Sequence, residues 1–333
     1  MAAGPGALAW PARVQIWDAA LAAVRGYFRE QGLREVSTPV RVRAVAVEPF
    51  IEPIAAPPGL LVTSPELAMK RLLARESGPI FQVAHVFRRA EVGDRHREEF
   101  HLVEWYRLGA DLEPVLADVA AIVARVFAAV GACLAPPRGW TRARFLDVVA
   151  ATCGARLRGD EDASALLAAL PPPLSTEVAA GLAPAPGADP EVRTLLAWTA
   201  FFSVWSDMYF ETWLKDHDGV HLVDFPAPLG ALARRHEADP ALAERAECHA
   251  FGVELANGYV ELRDADEQRR RFAVVNRLRA ATGAPPLPID EEFLAELPAL
   301  PPCAGIALGL DRLIALAAGR TRLADVSLAL GEV

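Results

Sequence analysis

Phe87-Arg88-Arg89-Ala90-Glu91-Val92-Gly93-Asp94-Arg95-His96-Arg97-Glu98-Glu99-Phe100, continued by His101-Leu102-Val103-Glu104-Trp105-Tyr106, is the stretch on which the reading of this chain turns. Residues 80–88 and 100–108 read as two strands joined by a polar, charge-rich loop. Strand alternation puts Phe100, Leu102, Glu104 and Tyr106 on one face, and His101, Val103, Trp105 and Arg107 on the other. The first face then carries an aromatic platform, a carboxylate and a phenol in a row. Arg88, ending the preceding strand, can meet that face across the hairpin. A guanidinium suits phosphate because its planar fork donates paired, charge-assisted hydrogen bonds. The bland reading of the same residues is a solvated hairpin laced with cross-strand ion pairs.

Three further stretches carry candidate chemistry. In Gly305-Ile306-Ala307-Leu308-Gly309-Leu310-Asp311-Arg312 a strand of small residues turns at Gly309, letting a ligand approach the backbone, with Arg312 in the first helical turn. Read structurally, this is a strand–helix junction capped by Asp311. In Glu254-Leu255-Ala256-Asn257-Gly258-Tyr259-Val260-Glu261-Leu262 a turn at Asn257-Gly258 predicts a hairpin with Glu254 and Glu261 as cross-strand partners. Two such carboxylates repel unless a cation lies between them, and oxygen ligands together with nucleotide phosphates suit Mg²⁺. Thr63-Ser64-Pro65-Glu66 opens a helix reaching Leu73, and a capping box alone would explain Thr63 and Glu66. Ser64 has no visible base and is not read as a nucleophile. His96 sits in the polar loop, where it can bind phosphate; His101 faces the other side of the sheet.

The rest of the chain bounds these readings. Its 333 residues hold 34 basic and 43 acidic side chains, a net charge of −9, with 53% hydrophobic and 23% charged residues. That composition excludes intrinsic disorder, and the acidic balance disfavours broad nucleic-acid binding. The most apolar stretch, 119–135, is broken by Arg125, so it predicts a buried helix and no membrane span. Residues 1–10 lack a secretory pattern. Cys133, Cys153, Cys248 and Cys303 are scattered without a CxxC pair, which fits a reduced, cytoplasmic setting and no thiolate metal site. Helices are expected over 13–31, 111–134, 195–213 and 264–283, with extended chain over 33–47. Strands are expected over 221–225, 251–262 and 304–308. The Ala/Pro-rich residues 159–190 read as a surface insertion. Strands and helices mix without regular βαβ alternation, predicting an α/β (α+β) fold, a mostly antiparallel sheet flanked by helices rather than a Rossmann fold.

Taken together, these stretches resemble the class II aminoacyl-tRNA synthetases, in their lysyl subgroup. Residues 13–47 resemble motif 1, residues 87–106 motif 2 and residues 305–316 motif 3. Residues 63–73 and 254–262 resemble the segments that hold the amino acid and metal-bound ATP. The likeness spans nearly the whole chain. It implies one class II catalytic domain over residues 1–333, a homodimer through motif 1, and ATP and Mg²⁺ as cofactors. Motif 1 begins within the first 15 residues, leaving no room for an N-terminal anticodon-binding barrel. The likeness is therefore to the truncated branch that joins lysine or (R)-β-lysine to elongation factor P, with tRNA an unlikely partner. A compact tRNA-charging enzyme and a non-catalytic regulatory paralogue are the alternatives.

By that resemblance Arg88 and Arg312 are catalytic. ATP falls to Arg88, Arg89, Glu91, His96, Arg97, Phe100, Glu254, Leu255, Gly309 and Arg312. The amino acid falls to Ser64, Pro65, Glu66, Tyr106, Glu261 and Ala307, and Mg²⁺ to Glu254 and Glu261. The methyl of Ala307 narrows the space beside the α-carbon, worth roughly 1–3 kcal/mol between substrates. The chain departs from the family pattern at Ala90, Arg97, Glu98 and His101, with Glu91 standing beside the adenine-reading position.

Overall fold

A computed structural model describes residues 6–132, 134–182 and 187–329. The expectations for residues 1–5, Cys133 and residues 183–186 lie outside the described residues. In chain order the elements are α1 (Trp10–Glu30), β1 (Arg34–Glu35), β2 (Arg41–Val42), β3 (Ala55–Ala56), β4 (Gly59–Leu61) and α2 (Glu66–Ala74). The hairpin β5 (Ile80–Phe87) and β6 (Glu99–Leu108) follows, then α3 (Leu112–Val130), β7 (Thr141–Arg144) and α4 (Phe145–Cys153). Helices α5 (Ala163–Ala169), α6 (Leu174–Gly181), α7 (Pro190–Trp205) and α8 (Glu211–Leu214) lead to β8 (Gly219–Pro226), β9 (Leu242–Ala250) and β10 (Val253–Val260). The chain closes with α9 (Ala265–Ala281), α10 (Glu291–Glu296), β11 (Cys303–Gly309) and α11 (Leu310–Ala317).

Eight strands form the main sheet in the order β1-β5-β6-β11-β10-β9-β8-β7, and β2, β4 and β3 form a small second sheet. Only β1 with β5 and β7 with β8 run parallel; the other main-sheet pairs are antiparallel. The expected mostly antiparallel sheet flanked by helices is the one observed. Its two faces separate by the period of two. Val103, Trp105, Ile306, Leu308, Ala246 and Cys248 face a core built with α1, α3 and α11. The register sets Tyr106 beside Gly305 and Glu104 beside Ala307, with Tyr259 and Asn257 next across β10. Those residues point the other way and form the floor of the site.

Asp118 of α3 fixes β6 from behind. It accepts from Tyr27 Oη (2.5 Å), Trp105 Nε1 (2.9 Å) and both arms of Arg107 (2.8 and 2.7 Å). A buried carboxylate matched by that many donors holds the strand to the helices without an unpaired charge.

The structure corrects three expectations. The Ala/Pro-rich stretch, expected as a surface insertion more than core, has buried residues in and beside α5 and α6: Leu166, Leu170, Leu174 and Val178 share a core cluster with Trp198 and Phe201 of α7. Its alanines disguised a helix face whose leucines do the packing. The strand β9 went unrecognised because Glu244, Arg245, Glu247 and His249 make it read as polar. Most of that charge is paired, as in Arg245–Glu247 at 2.6 Å, and Arg245, Glu247 and His249 alternate with the core-facing Ala246 and Cys248. Finally, Asn257-Gly258 is not a turn. Both residues sit mid-strand in β10, paired with β9 on one side and β11 on the other. Glycine is required there because a Cβ on Gly258 would press on the Gly305 carbonyl and on Ile306.

Candidate active site

The polar face of the sheet floors one cavity that has a cationic and a carboxylate end. Arg88, just past β5, and Arg312, in the first turn of α11, both line it. Arg88 Nε donates to the Thr63 carbonyl (3.3 Å), its Nη1 lies 3.4 Å from Glu91, and its guanidinium covers the Phe100 ring at 5.1 Å. Arg312 donates to the carbonyls of Arg95 (3.2 Å) and Glu254 (3.1 Å), with the Glu254 carboxylate 3.6 Å away. Carbonyl anchors orient each guanidinium without cancelling its charge, and Glu91 and Glu254 stand off at 3.4 and 3.6 Å, so both arginines keep donors for an anion. His96 lines the same wall; burial and Arg312 hold its pKa below the ordinary histidine value, favouring a neutral ring.

Two of the departures from the family pattern shape the loop above. Glu98 Oε1 accepts the amide of Ala90 (2.6 Å), and Arg88 donates its amide to the Glu98 carbonyl (2.8 Å). This pins Ala90 in a left-handed conformation (φ 64°), which a small residue tolerates better than a branched one. His101, on the far face as expected, donates its amide to Asp311 (2.7 Å) and meets His85 ring to ring (2.9 Å). Asp311 therefore does not cap α11 through its side chain.

At the other end, Glu66, Glu104, Glu261, Ser64 and Tyr106 converge. Ser64 Oγ and Tyr106 Oη each donate to Glu104 at 2.6 Å. Lys70, one turn along α2 from Glu66, is 2% exposed and reaches Glu66 and Glu261 at 2.5 Å each. Burial and the nearby Glu66 push Glu104 up to about 7, against the two hydroxyl donors. Burial likewise lifts Glu261 to about 8, with Lys70 opposing. Although burial acts to lower Lys70, Glu261 and Glu66 raise it, so it remains an ammonium. Two carboxylates thus share one buried cation beside a third that is met only by hydroxyl groups, a deficit of positive charge that a cationic ligand can fill. Gly305 is obligatory in this wall, since a Cβ would run into the Tyr106 ring and the Glu261 carboxylate.

Of the residues expected at the site, Arg88, Glu91, His96, Arg97, Phe100 and Arg312 line the cavity, as do Glu254, Leu255 and Gly309. So do Ser64, Glu66, Tyr106, Glu261 and Ala307. Arg89 and Pro65 do not; Arg89 instead donates its amide to the Glu52 carbonyl (2.7 Å), and Pro65 precedes α2 as its N-cap residue without a side-chain bond. The capping box is absent as well: Ser64 Oγ, not Thr63, accepts the Glu66 amide (3.2 Å), and Thr63 Oγ1 is buried without a partner. Glu254 and Glu261 are not the cross-strand pair expected of a hairpin. Glu254 sits half-exposed beside Arg312, whereas Glu261 is buried on Lys70. Among the described residues no group of three or more His, Cys, Asp or Glu converges as a metal cage. Mg²⁺ tolerates this, since it is commonly held by one or two carboxylates with substrate phosphates and water. Glu254 fits that description, and Glu261 does not. Lys70, Asn257 and Tyr259 were missed from sequence. Lys70 had a signal, four residues after Glu66 and one of only two lysines in the chain.

The raised carboxylates give a pH prediction. Between the ordinary carboxylate range and about pH 8, the folded chain keeps protons on Glu104 and Glu261 that an unfolded chain would release. Stability from this source is present at low pH and is lost as pH rises through the folded values. An ammonium entering this end lowers both values, so binding a diamino acid at pH 7 releases roughly half a proton or more. Calorimetric titration in buffers of different ionisation enthalpy measures this; proton uptake, or no dependence on buffer, contradicts it.

A cationic end and an end rich in carboxylates, in one cavity laid on an antiparallel sheet, is the arrangement that the resemblance implied. Residues 11–328 match the family model described as tRNA synthetases class II (D, K and N). The chain belongs to this family. Its relatives include the elongation factor P–(R)-β-lysine ligase of Pectobacterium carotovorum, 37% identical over 318 residues covering 92% of this chain and 91% of the relative. That of Proteus mirabilis is 38% identical over 321 residues (91% and 90%). That of Klebsiella pneumoniae is 36% identical over 326 residues (92% and 91%). The family match takes in β5, β6, β11 and α11, the elements that carry both arginines. Among the described residues no helix is long and apolar enough to cross a membrane.

Proposed function

We propose that this chain is an ATP-dependent, AMP-forming ligase that activates lysine or (R)-β-lysine and transfers it to a lysine side chain of elongation factor P. The observation carrying this reading is the polarity of this cavity: Arg88 and Arg312 at one end, and at the other Glu66 and Glu261 on one lysine with Glu104 beside them. An anionic nucleotide and a diamino acid are the pair of substrates that such a cavity neutralises. The names of the relatives support the acceptor.

In this reading the amino-acid carboxylate attacks the α-phosphorus of ATP and pyrophosphate leaves. Arg88 stabilises the charge that develops on the α-phosphate, and Arg312 holds the γ-phosphate. Both act by preorganised charge and by position, with no proton transfer. Phe100 stacks on adenine under the Arg88 guanidinium, with Glu91 at the base edge and neutral His96 on the triphosphate. Bound Mg²⁺ would neutralise the departing phosphates, with Glu254 the carboxylate that would hold it. Tyr106, Glu66 and Glu261 receive the substrate's ammonium groups, and Ala307 trims the space beside the carbon that bears the carboxylate. A homodimer through α1 belongs to the same reading, supported by Trp10 and Val14, 47% and 56% exposed one turn apart.

Incubation with ATP and labelled lysine or (R)-β-lysine, offered either elongation factor P or bulk tRNA, tests the reading. Label is expected on the protein. Label on tRNA alone would instead make the chain a compact tRNA-charging enzyme.

A further inference from the structure

A second cavity adjoins the first. Glu48, Ile51, Asn257 and Tyr259 line both; beyond them the second has apolar walls from Phe50, Leu195, Phe202 and Phe272, and a cationic rim of Arg235, Arg245, Arg270 and Arg271 whose charges are met by Glu267, Glu247 and Glu191. Gln268, 1% exposed, borders it with an Nε2 that has no hydrogen-bond partner. In the ligase reading every residue given a part in the activation step lines the first cavity, and none belongs to the second alone.

Glu48 stands where the two cavities meet. Among the described residues its carboxylate makes no hydrogen bond and no ion pair within 4 Å; Arg88 and Arg245 act on it only at longer range. Its backbone, by contrast, is held firmly. Arg279, fully buried in α9, donates Nη1 to the carbonyls of Glu48 (3.1 Å) and Ile51 (3.2 Å) and Nη2 to the carboxylate of Glu52 (2.6 Å). A carboxylate on a clamped backbone, without a hydrogen-bond donor of its own and lining both cavities, is placed to accept a proton.

We infer that the second cavity admits the acceptor's alkylammonium side chain and that Glu48 takes the proton this amine must lose before it attacks. The inference rests on the ligase reading and concerns only its transfer step. The ammonium gives one proton to Glu48, and the freed lone pair forms the C–N bond to the adenylate carbonyl. The bond from that carbon to the phosphate oxygen breaks, its electron pair leaving with AMP. The second proton on nitrogen passes to the AMP phosphate as the amide forms. The apolar walls suit the methylene stem of the acceptor, and the Gln268 amide can meet a carbonyl of the same chain. Burial raises the proton affinity of Glu48; Arg88 and Arg245 oppose that rise, while Glu66 and Glu91 add to it.

The test separates activation from transfer in the full chain. Glu48→Gln should keep amino-acid-dependent pyrophosphate exchange within about threefold of wild type. Transfer to elongation factor P in a single turnover should fall about 100-fold or more at neutral pH, and the deficit should shrink as pH rises toward the pKa of the acceptor amine, which then needs no base. Hydroxylamine, which attacks as a neutral nucleophile and needs no base, should trap the adenylate equally in both proteins. Thr199→Trp, which fills the second cavity from α7, should slow transfer and leave hydroxylamine capture unchanged. Wild-type transfer by Glu48→Gln overturns the inference, and so does an equal loss of exchange and transfer, which would make Glu48 an amino-acid-binding group. Absence of exchange in the wild-type chain would instead overturn the ligase reading, and this inference with it.

Discussion

Replacing Arg88 with alanine is expected to lower amino-acid-dependent ATP–pyrophosphate exchange by about 10³-fold while leaving the fold intact. The chemistry at the α-phosphorus offers the protein no proton to move, so rate comes from fixed positive charge at the reacting atom. Arg88 is the cation that the hairpin β5–β6 carries into that space, stacked at 5.1 Å on the ring that would receive adenine. Its bonds to the protein are a 3.3 Å contact with one carbonyl and a 3.4 Å contact with Glu91, too little for its loss to cost more than about 1 kcal/mol of stability. Arg88→Lys keeps the charge but not the fork, and should recover only part of the lost rate. Exchange and denaturation curves on the same preparations check both halves. Exchange within tenfold of wild type in Arg88→Ala would remove Arg88 from the mechanism.

Lys70→Met is expected to be the most destabilising single change at the site, by about 3–5 kcal/mol. Methionine fills much of the same volume, so the loss is one of charge and not of packing. It leaves Glu66 and Glu261 facing one another with no buried cation, beside a Glu104 whose pKa is already raised. The carboxylates answer by keeping protons to still higher pH. Carboxylates with raised folded values support the fold at low pH and weaken it as pH climbs. The deficit of Lys70→Met should therefore be smaller at pH 5.5 than at pH 8. Urea unfolding at the two values measures it. A deficit independent of pH, or none, would mean that Lys70 does not balance these carboxylates.

How much could be read beforehand follows from where each residue's signal lies. The face of β6 was legible because alternation over Phe100, Leu102, Glu104 and Tyr106 is a local property of ten residues. Arg88 and Arg312 were legible singly, but their meeting in one cavity depends on β11 lying beside β6, a pairing made by residues far apart in sequence. The Asn257-Gly258 dipeptide misled because its strong hairpin preference is local, whereas the partners that keep it extended are β9 and β11. Lys70 was hidden by habit: a lysine on a helix is usually solvated, and only the positions of Glu66 and Glu261 make this one buried. The Ala/Pro-rich stretch misled by composition, since a few leucines with Val178 and Ala163 supply the packing.

Pyrophosphate exchange measured across a panel of amino acids tests the central claim most directly. A cavity with guanidinium groups at one end and carboxylates in excess at the other should exchange with lysine and (R)-β-lysine, and should lose at least about 100-fold with norleucine, which keeps the stem and lacks the terminal ammonium. Exchange with norleucine as fast as with the diamino acids, or with none of the panel, would contradict it.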